Sequence, residues 1–197
     1  MEQYGMEDVA LSVPSVEVSL MYGREDNFTG KVMYDSTLTR AYLHPEAVAA
    51  LVKADKELKR LRPDLHFKVA DASRPFSVQK KMYDTLRGTP KAPYVSNPAN
   101  GGGLHNYGLA VDITLADAQG RELPMGTPID HLGPEANIDR EDELVAKGKL
   151  TKAEQANRQL LRRVMKAGGF MPLKSEWWHF NLRSRATARA RYRLLDF

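Results

Sequence analysis

The fold of this chain is decided by the stretch LHNYGLAVDITL, which occupies residues 104–115. From Leu109 onward apolar residues occupy every second position, the pattern of a β-strand with one face in the core. Asp112 stands on the other face of that strand, among uncharged neighbours. Because burying a carboxylate is costly unless it is paired, hydrogen-bonded or bound to a metal, the stretch predicts a partner for Asp112.

A second stretch, SEWWH at residues 175–179, adds another histidine and another carboxylate. His105 precedes Asp112 by a spacing that suits one ligand on the loop entering a strand and a second ligand inside it. With His179 these residues supply two imidazoles and a carboxylate, and Glu176 is a spare carboxylate. Zinc hydrolases hold the metal by three nitrogen or oxygen ligands, keep a fourth position for water and use a nearby carboxylate as base. The two stretches therefore predict a catalytic zinc site.

Outward from the central strand, the hydrophobic periodicity alternates between strands and helices. Strands are predicted at residues 16–21, 65–71, 109–115 and 177–182, with Glu176 just before the last of them. Helices are predicted at residues 45–61, at 78–86, and from a capping box at residues 151–154 to the glycines at 168–169. Residues 89–103 and 120–150 are predicted to be irregular. No regular βαβ repeat occurs, so we expect an α+β fold with a mainly antiparallel central sheet flanked by helices.

Length and composition indicate one ordinary globular domain spanning residues 1–197. Hydrophobic residues make up 42% of the chain and charged residues 27%, and no apolar run is long enough to span a membrane. Cysteine is absent, which leaves histidine and carboxylate as metal ligands. The amino terminus lacks the pattern of a signal peptide. We expect a periplasmic or cell-envelope location if a signal has been trimmed, and a cytoplasmic location otherwise.

The formal net charge is +4, and much of it comes from arginines near the carboxyl terminus. These are Arg183, Arg185, Arg189, Arg191 and Arg193. No nucleic-acid-binding motif precedes them, and apolar leucines are interleaved with them. We interpret them as a solvated helix face and expect no nucleic-acid partner.

Several separated motifs resemble those of the zinc D-Ala-D-Ala peptidases, and within that group the vancomycin-resistance type of D-alanyl-D-alanine dipeptidase. The pattern His, two residues, Gly, one residue, Ala, one residue, Asp is similar to residues 105–112, and the Glu-x-Trp-His signature is similar to residues 176–179. Further similar stretches are SRP at residues 73–75, DNFTG at 26–30 and LPMGTPID at 123–130. The resemblance therefore covers most of the chain.

The resemblance implies a set of roles for residues of this chain. It implies one Zn²⁺ per chain, held by His105, Asp112 and His179. Glu176 would be the general base and acid, and Arg74 would face the developing oxyanion. Asp130 would hold the free amino terminus of a small D,D-dipeptide. The implied activity is zinc-dependent hydrolysis of D-Ala-D-Ala to two D-alanines in bacterial cell-wall peptide metabolism.

The chain also departs from the family, and alternatives to the dipeptidase interpretation stay open. Where the family has serines before the ligand histidine, this chain has Gly103 and Leu104; Ser96, Asn97 or a backbone N–H could contact the substrate carboxylate instead. A zinc D,D- or L,D-carboxypeptidase acting on longer peptidoglycan peptides would share the ligands. The same ligand types hold Fe(II) in oxygenases, at a closer spacing. A non-catalytic zinc-stabilised binding module would have no need for a spare carboxylate and arginine. The sequence does not settle the oligomeric state.

Overall fold

A computed structural model describes the backbone of residues 1–197 and the side chains of residues 1 and 3–197. The strands are β1 (Glu7–Asp8), β2 (Glu17–Val18), β3 (Tyr42–Leu43), β4 (Leu65–Asp71), β5 (Ala110–Asp117), β6 (Met171–Leu173) and β7 (Glu176–Asn181). The helices are α1 (Val9–Ser12), α2 (Pro45–Leu61), α3 (Phe76–Leu86), α4 (Glu141–Ala146), α5 (Lys152–Gly168) and α6 (Arg185–Arg191). A short 3₁₀ turn, Leu104–Tyr107, leads into β5.

The central sheet has the strand order β2-β4-β5-β7-β6. β2 runs parallel to β4, and the other neighbouring pairs are antiparallel. Strand β5 lies in the middle, where residues 110–116 are buried on both faces. The sequence alternation predicted only one buried face; the second face is also buried, and from it Asp112 lines a cavity. The predicted α+β class, with a mainly antiparallel sheet and flanking helices, is confirmed.

Helices α2 and α5 pack closely against each other beside the sheet. Their contact depends on Gly168, where an added Cβ would lie 2.4 Å from the carbonyl oxygen of Ala50. Protein interiors are packed too densely to absorb such a clash without backbone movement, so glycine is required there. None of the helices in the described part of the chain is long and apolar enough to cross a membrane.

The long helices follow the sequence signals that predicted them. Helix α2 begins at Pro45 and ends at Leu61, as predicted. Helix α5 begins with the predicted capping box, in which Thr151 Oγ1 accepts from the amide of Glu154 and Glu154 Oε2 accepts from the amide of Thr151. Both helices have a continuous apolar face, which makes the helical period unambiguous.

The shorter elements differ from the predictions. The strand expected at residues 16–21 is only Glu17–Val18, and Met21–Gly23 is a 3₁₀ turn. The region expected to be irregular at 120–150 contains α4, and β6 was not predicted. These elements span only two to six residues, too few for a periodic pattern to emerge. Of these elements, β2 is stabilised by pairing with the distant β4, and β6 by pairing with the neighbouring β7.

Candidate metal centre and active site

Potential metal ligands converge at the centre of the sheet. His105 lies in the turn before β5, Asp112 lies within β5, and His179 lies in β7. Asp112 and His179 are register partners on antiparallel strands. Gly108 closes the intervening turn with a φ of +67°, and a Cβ there would lie 2.9 Å from the amide nitrogen of His44. Strand register therefore sets the separation of two of the ligands.

The ligand atoms are close enough to share one cation. His179 Nδ1 lies 2.9 Å from Asp112 Oδ1, and His105 Nε2 lies 3.2 Å from His179 Nδ1 and 3.4 Å from Asp112 Oδ2. A tetrahedral zinc site with bonds of about 2.0–2.1 Å separates its ligand atoms by about 3.3 Å. The observed spacing and the two-imidazole, one-carboxylate donor set both fit a metal ion of this kind.

Each histidine ring is oriented by a hydrogen bond from its other nitrogen. His105 Nδ1 lies 2.7 Å from the carbonyl oxygen of Ala72. A carbonyl only accepts, so Nδ1 carries the proton and Nε2 presents its lone pair to the ligand cluster. His179 Nε2 lies 2.9 Å from Asn181 Oδ1, which directs Nδ1 towards the cluster in the same way. Such outer hydrogen bonds are what metal-binding histidines require.

The charges at the cluster favour a cation. Burial by itself would raise the pKa of Asp112, but the charges and hydrogen bonds of His105 and His179 hold that pKa well below its ordinary value. Burial by itself would lower the pKa of His179, but Asp112 raises it to about 9. The buried carboxylate thus attracts positive charge to the place where the ligand atoms meet.

Glu176 lies beside the cluster, with Oε2 at 3.9 Å from His179 Nδ1. The prediction that Glu176 precedes the strand is wrong, because it is the first residue of β7. An irregular register in the pairing of β6 with β7 pairs Leu173 with Glu176 and Pro172 with Phe180. Such a bulge re-aims side chains, and it brings Glu176 to the side of the strand that His179 occupies. Burial raises the pKa of the Glu176 carboxyl, although His179 opposes the shift.

Arg74 follows β4 and is held rigidly in the cavity wall. Its Nε and Nη2 donate to Asp71 Oδ2 at 3.1 and 2.6 Å, and its Nη1 donates to Gln79 Oε1 at 3.0 Å. The guanidinium lies 4.9 Å from the centre of the Tyr22 ring, and Nη2 lies 3.9 Å from Asp112 Oδ2. The carboxylate of Asp71 is thus the counter-charge of the Arg74 guanidinium. The Nη2 end of the guanidinium faces the ligand cluster.

Asp130 lies in the loop after β5 with an unusual backbone conformation, a φ of +66°. Its Oδ1 accepts a hydrogen bond from Tyr22 at 3.0 Å. Its Oδ2 is buried and forms no hydrogen bond with a described atom, although the backbone of Phe28 is close enough to the carboxyl group to oppose the rise of its pKa. Burial, reinforced by the charge of Asp112, raises the pKa of Asp130 to about 7. Strained backbone and an unpaired buried oxygen are features that proteins retain at functional sites.

One cavity collects the predicted site residues except Asn97, which does not line it. Its lining includes His105, Asp112, His179, Glu176, Arg74, Asp130 and Ser96. Sequence reasoning missed others that line the same cavity, namely Tyr22, Gln79, Asn181 and Arg185. No local pattern distinguishes Arg185 from the other arginines of its segment, whereas Asn181 could have been suspected from its alternation with His179 on one strand face.

The other histidines lie outside the lining of that cavity. His44 Nδ1 accepts from the amide of Glu46 at 3.3 Å and caps α2. His66 pairs with Glu17 at 3.7 Å, and His131 lies 3.2 Å from Glu135. Their surroundings give each a structural contact.

A two-histidine, one-carboxylate cluster beside a free carboxylate defines a class of protein, the metal-dependent hydrolases. A family model described as D-ala-D-ala dipeptidase matches residues 2–195, so the chain belongs to the D-Ala-D-Ala dipeptidase family of metallopeptidases. Both the predicted family and the predicted class of enzyme are confirmed.

Curated relatives are similar in sequence over most of the chain. The D-alanyl-D-alanine dipeptidase of Escherichia coli (strain K12) is 34% identical, covering 89% of this chain and 83% of the relative. Those of Streptomyces coelicolor and Enterococcus faecium are 31% and 28% identical, each covering 87% of this chain and 88% of the relative. A solved LdcB LD-carboxypeptidase structure aligns with 76% of this chain and 63% of its own, with 20% identity and a TM-score of 0.46.

Proposed function

We propose that this protein hydrolyses the dipeptide D-Ala-D-Ala to two D-alanines in bacterial cell-wall peptide metabolism, and that residues 1–197 act as one domain. The observation that carries the proposal is the convergence of His105, Asp112 and His179 within about a hydrogen-bond length of one another, in a cavity that Glu176 also lines. Membership of the dipeptidase family supports the choice of substrate.

We propose one Zn²⁺ per chain, held by His105 Nε2, His179 Nδ1 and the carboxylate of Asp112. Two imidazoles and one carboxylate are a usual ligand set of catalytic zinc. Bound zinc supplies a Lewis acid that polarises the scissile carbonyl and lowers the pKa of water beside it. The hydrogen bonds to Ala72 and Asn181 hold both rings in the tautomer that this role needs.

Glu176 is proposed as the general base and acid. Its side chain is only 12% exposed and lies next to the ligand cluster. Because burial raises its pKa, the carboxylate accepts a proton more readily than an exposed glutamate would, which suits a group that must take a proton and return it. Glu176 takes the proton of the attacking water and then delivers it to the nitrogen of the departing D-alanine.

Arg74 is proposed to stabilise the negative charge that develops on the carbonyl oxygen during attack. A donor contributes most when it is already oriented in a site with little water. Arg74 meets this condition because Asp71 and Gln79 hold three of its nitrogens and only 9% of its side chain is exposed.

Asp130 is proposed to bind the free ammonium group of the dipeptide. Its buried Oδ2 lacks a partner among the described atoms, and a substrate ammonium would supply one. A longer peptide or an acylated one has an uncharged amide at that position, which would leave the carboxylate unpaired. Asp130 therefore favours a dipeptidase over a carboxypeptidase that has the same metal ligands and acts on longer peptides.

The test is D-alanine release from D-Ala-D-Ala and from N-acetyl-D-Ala-D-Ala by zinc-loaded protein, with Glu176→Ala as the control. We expect cleavage of the free dipeptide, little cleavage of the acetylated peptide, and loss of both in the variant. Preference for the acetylated peptide would identify a carboxypeptidase instead. If neither peptide is cleaved by metal-loaded protein, the dipeptidase proposal is wrong.

A further inference from the structure

The charges of the cavity leave one end of a dipeptide without a counter-charge. A free dipeptide carries an ammonium at one end and a carboxylate at the other. Asp130 is the proposed counter-charge of the ammonium. The arginines among the described lining residues are Arg74 and Arg185. Arg74 is paired with Asp71 at 2.6 Å and is proposed to act on the carbonyl oxygen. No described carboxylate lies within 4 Å of the Arg185 guanidinium, so its charge is available to a ligand.

Arg185 is held at the cavity by a neighbour from a distant part of the chain. It is the first residue of α6, and its Nη2 donates to the hydroxyl oxygen of Ser96 at 3.2 Å. Because that oxygen accepts from Arg185, the Ser96 hydroxyl hydrogen is free to donate. A guanidinium and a hydroxyl side by side form a pair of donors suited to a carboxylate.

Ser96 is positioned by the same network that fixes Arg74. Gln79 Nε2 donates to the carbonyl oxygen of Ser96 at 2.9 Å, while Gln79 Oε1 accepts from Arg74 Nη1 at 3.0 Å. Gln79 is 1% exposed. The carboxylate-binding donors and the arginine beside the ligand cluster are thus linked through one buried amide.

Gly103 makes room for this arrangement. A Cβ at position 103 would lie 3.0 Å from Ser96 Oγ and 3.3 Å from Ser96 Cβ. The absence of a side chain at 103, where the sequence departs from the family pattern, lets the Ser96 hydroxyl stand against the turn that carries His105. The serine that the family has before the ligand histidine is absent here, and the hydroxyl of Ser96, from another loop, lies beside that position instead.

We propose that Arg185, with Ser96, binds the carboxyl-terminal carboxylate of the dipeptide and makes the enzyme selective for a free carboxylate. The inference rests on the proposed dipeptidase function. It assigns the two charged ends of the substrate to two separate residues, Asp130 for the ammonium and Arg185 for the carboxylate, with the scissile bond between them.

Other arginines of the same segment have other surroundings. Arg183 is paired with Glu46 at 2.5 Å. Arg191 and Arg193 line a different surface cavity together with Tyr4. Arg191 lies on the same helix as Arg185 and is also exposed. Arg191→Ala therefore removes the same charge without touching the proposed carboxylate site.

The experiment compares D-Ala-D-Ala with D-Ala-D-alaninamide, which lacks the carboxylate charge, as substrates and as competitive inhibitors. It uses zinc-loaded wild type, Arg185→Ala, Arg185→Lys and Arg191→Ala. For Arg185→Ala we expect kcat/KM on D-Ala-D-Ala to fall about 10- to 100-fold, mainly through KM, as for loss of a hydrogen bond to a charged group. The amide should be unaffected. Arg185→Lys should recover part of the loss, and Arg191→Ala should match wild type.

The outcomes separate this inference from the function on which it rests. If wild type cleaves neither peptide, the proposed dipeptidase function fails. If wild type cleaves D-Ala-D-Ala and Arg185→Ala still discriminates against the amide as strongly as wild type does, the carboxylate assignment is overturned. An equal loss for Arg185→Ala and Arg191→Ala would also overturn it, because only a general effect of charge would then operate. Arg185 is exposed, and thermal melting checks that each variant is folded.

Discussion

The residues proposed to bind the metal and those proposed to bind the two ends of the substrate are positioned by different kinds of structure. Asp112 and His179 lie on paired central strands, and their separation follows from the register. Asp130, Ser96 and Arg185 come from two loops and the start of a terminal helix. Metal ligands tolerate only small displacements, whereas loops allow substrate contacts to change without disturbing the sheet. We therefore expect substitutions to separate chemistry from substrate selectivity in this molecule.

The largest effect should follow from removing one of the three proposed metal ligands. His105→Ala removes a nitrogen ligand, so we expect the zinc content to fall from one per chain to well below one and dipeptide hydrolysis to fall below detection. Metal analysis and D-alanine release measure the two effects. His66 belongs to the central sheet and lies outside the cavity. The control variant His66→Ala should therefore keep both its zinc and its hydrolytic activity. Full zinc content in His105→Ala would contradict the ligand assignment.

A smaller effect should follow from changing the base while keeping the metal. Glu176→Gln preserves shape and removes the proton acceptor, so kcat should fall about 10²- to 10⁴-fold with little change in KM. The zinc content should equal that of wild type, which separates this variant from the ligand variant. If zinc is lost together with activity, Glu176 acts as a ligand and not as a base.

Among the residues proposed to bind the substrate, the variant Asp130→Asn should weaken substrate binding but stabilise the fold. Loss of the negative charge should raise KM for D-Ala-D-Ala about 10- to 100-fold, with zinc content unchanged. The folded-state pKa of Asp130 is raised to about 7 from 3.8. Because the folded state prefers the protonated carboxyl, Asp130 contributes stability that is fully present below pH 3.8 and is lost as pH rises through 7.

The stability of Asp130→Asn should consequently depend on pH relative to wild type. At pH 8 the variant escapes the unfavourable burial of charge, and we expect its free energy of unfolding to exceed that of wild type by about 1–2 kcal/mol. At pH 4 the difference should shrink, because Asp130 of the folded wild type is then protonated. Urea unfolding at the two pH values measures it; a variant less stable at pH 8 than at pH 4, relative to wild type, would refute the burial of a charged Asp130.

The smallest effect should follow from loosening the loop that carries Asp130. The fully buried Arg158 donates to the carbonyl oxygens of Met125 at 2.6 Å and Glu135 at 3.1 Å, and so bridges both ends of that loop. Arg158→Lys keeps the positive charge but cannot donate to both carbonyl oxygens with the geometry of a guanidinium. The loop that carries Asp130 should then be held less firmly, so KM should rise by up to about tenfold at unchanged kcat and zinc content. Arg162→Lys, which contacts Glu141 and not the loop, is the matched control. A fall in zinc content would mean that the two sets of residues are not separable.

Much of the fold could be predicted because it is encoded in local periodicity. The alternation around Asp112 and the capped apolar faces of α2 and α5 identify the central strand and the two long helices without knowledge of contacts. Elements such as β6 and α4 escaped prediction because they are too short to carry a period. The position of Glu176 was also mistaken, because a bulge depends on how β7 pairs with β6 and not on its own residues.

By itself, the sequence determined the kind of chemistry, because two histidines and two carboxylates in motifs on or beside recognisable strands are compatible with few kinds of site. Only the tertiary structure brought Arg185 to the cavity and showed which side chains contact Asp130 and Ser96 there. The hydrogen bond from Tyr22 to Asp130 spans 108 residues, and the one from Arg185 to Ser96 spans 89. No local pattern records such contacts, since they arise only when the sheet brings separate loops to one cavity.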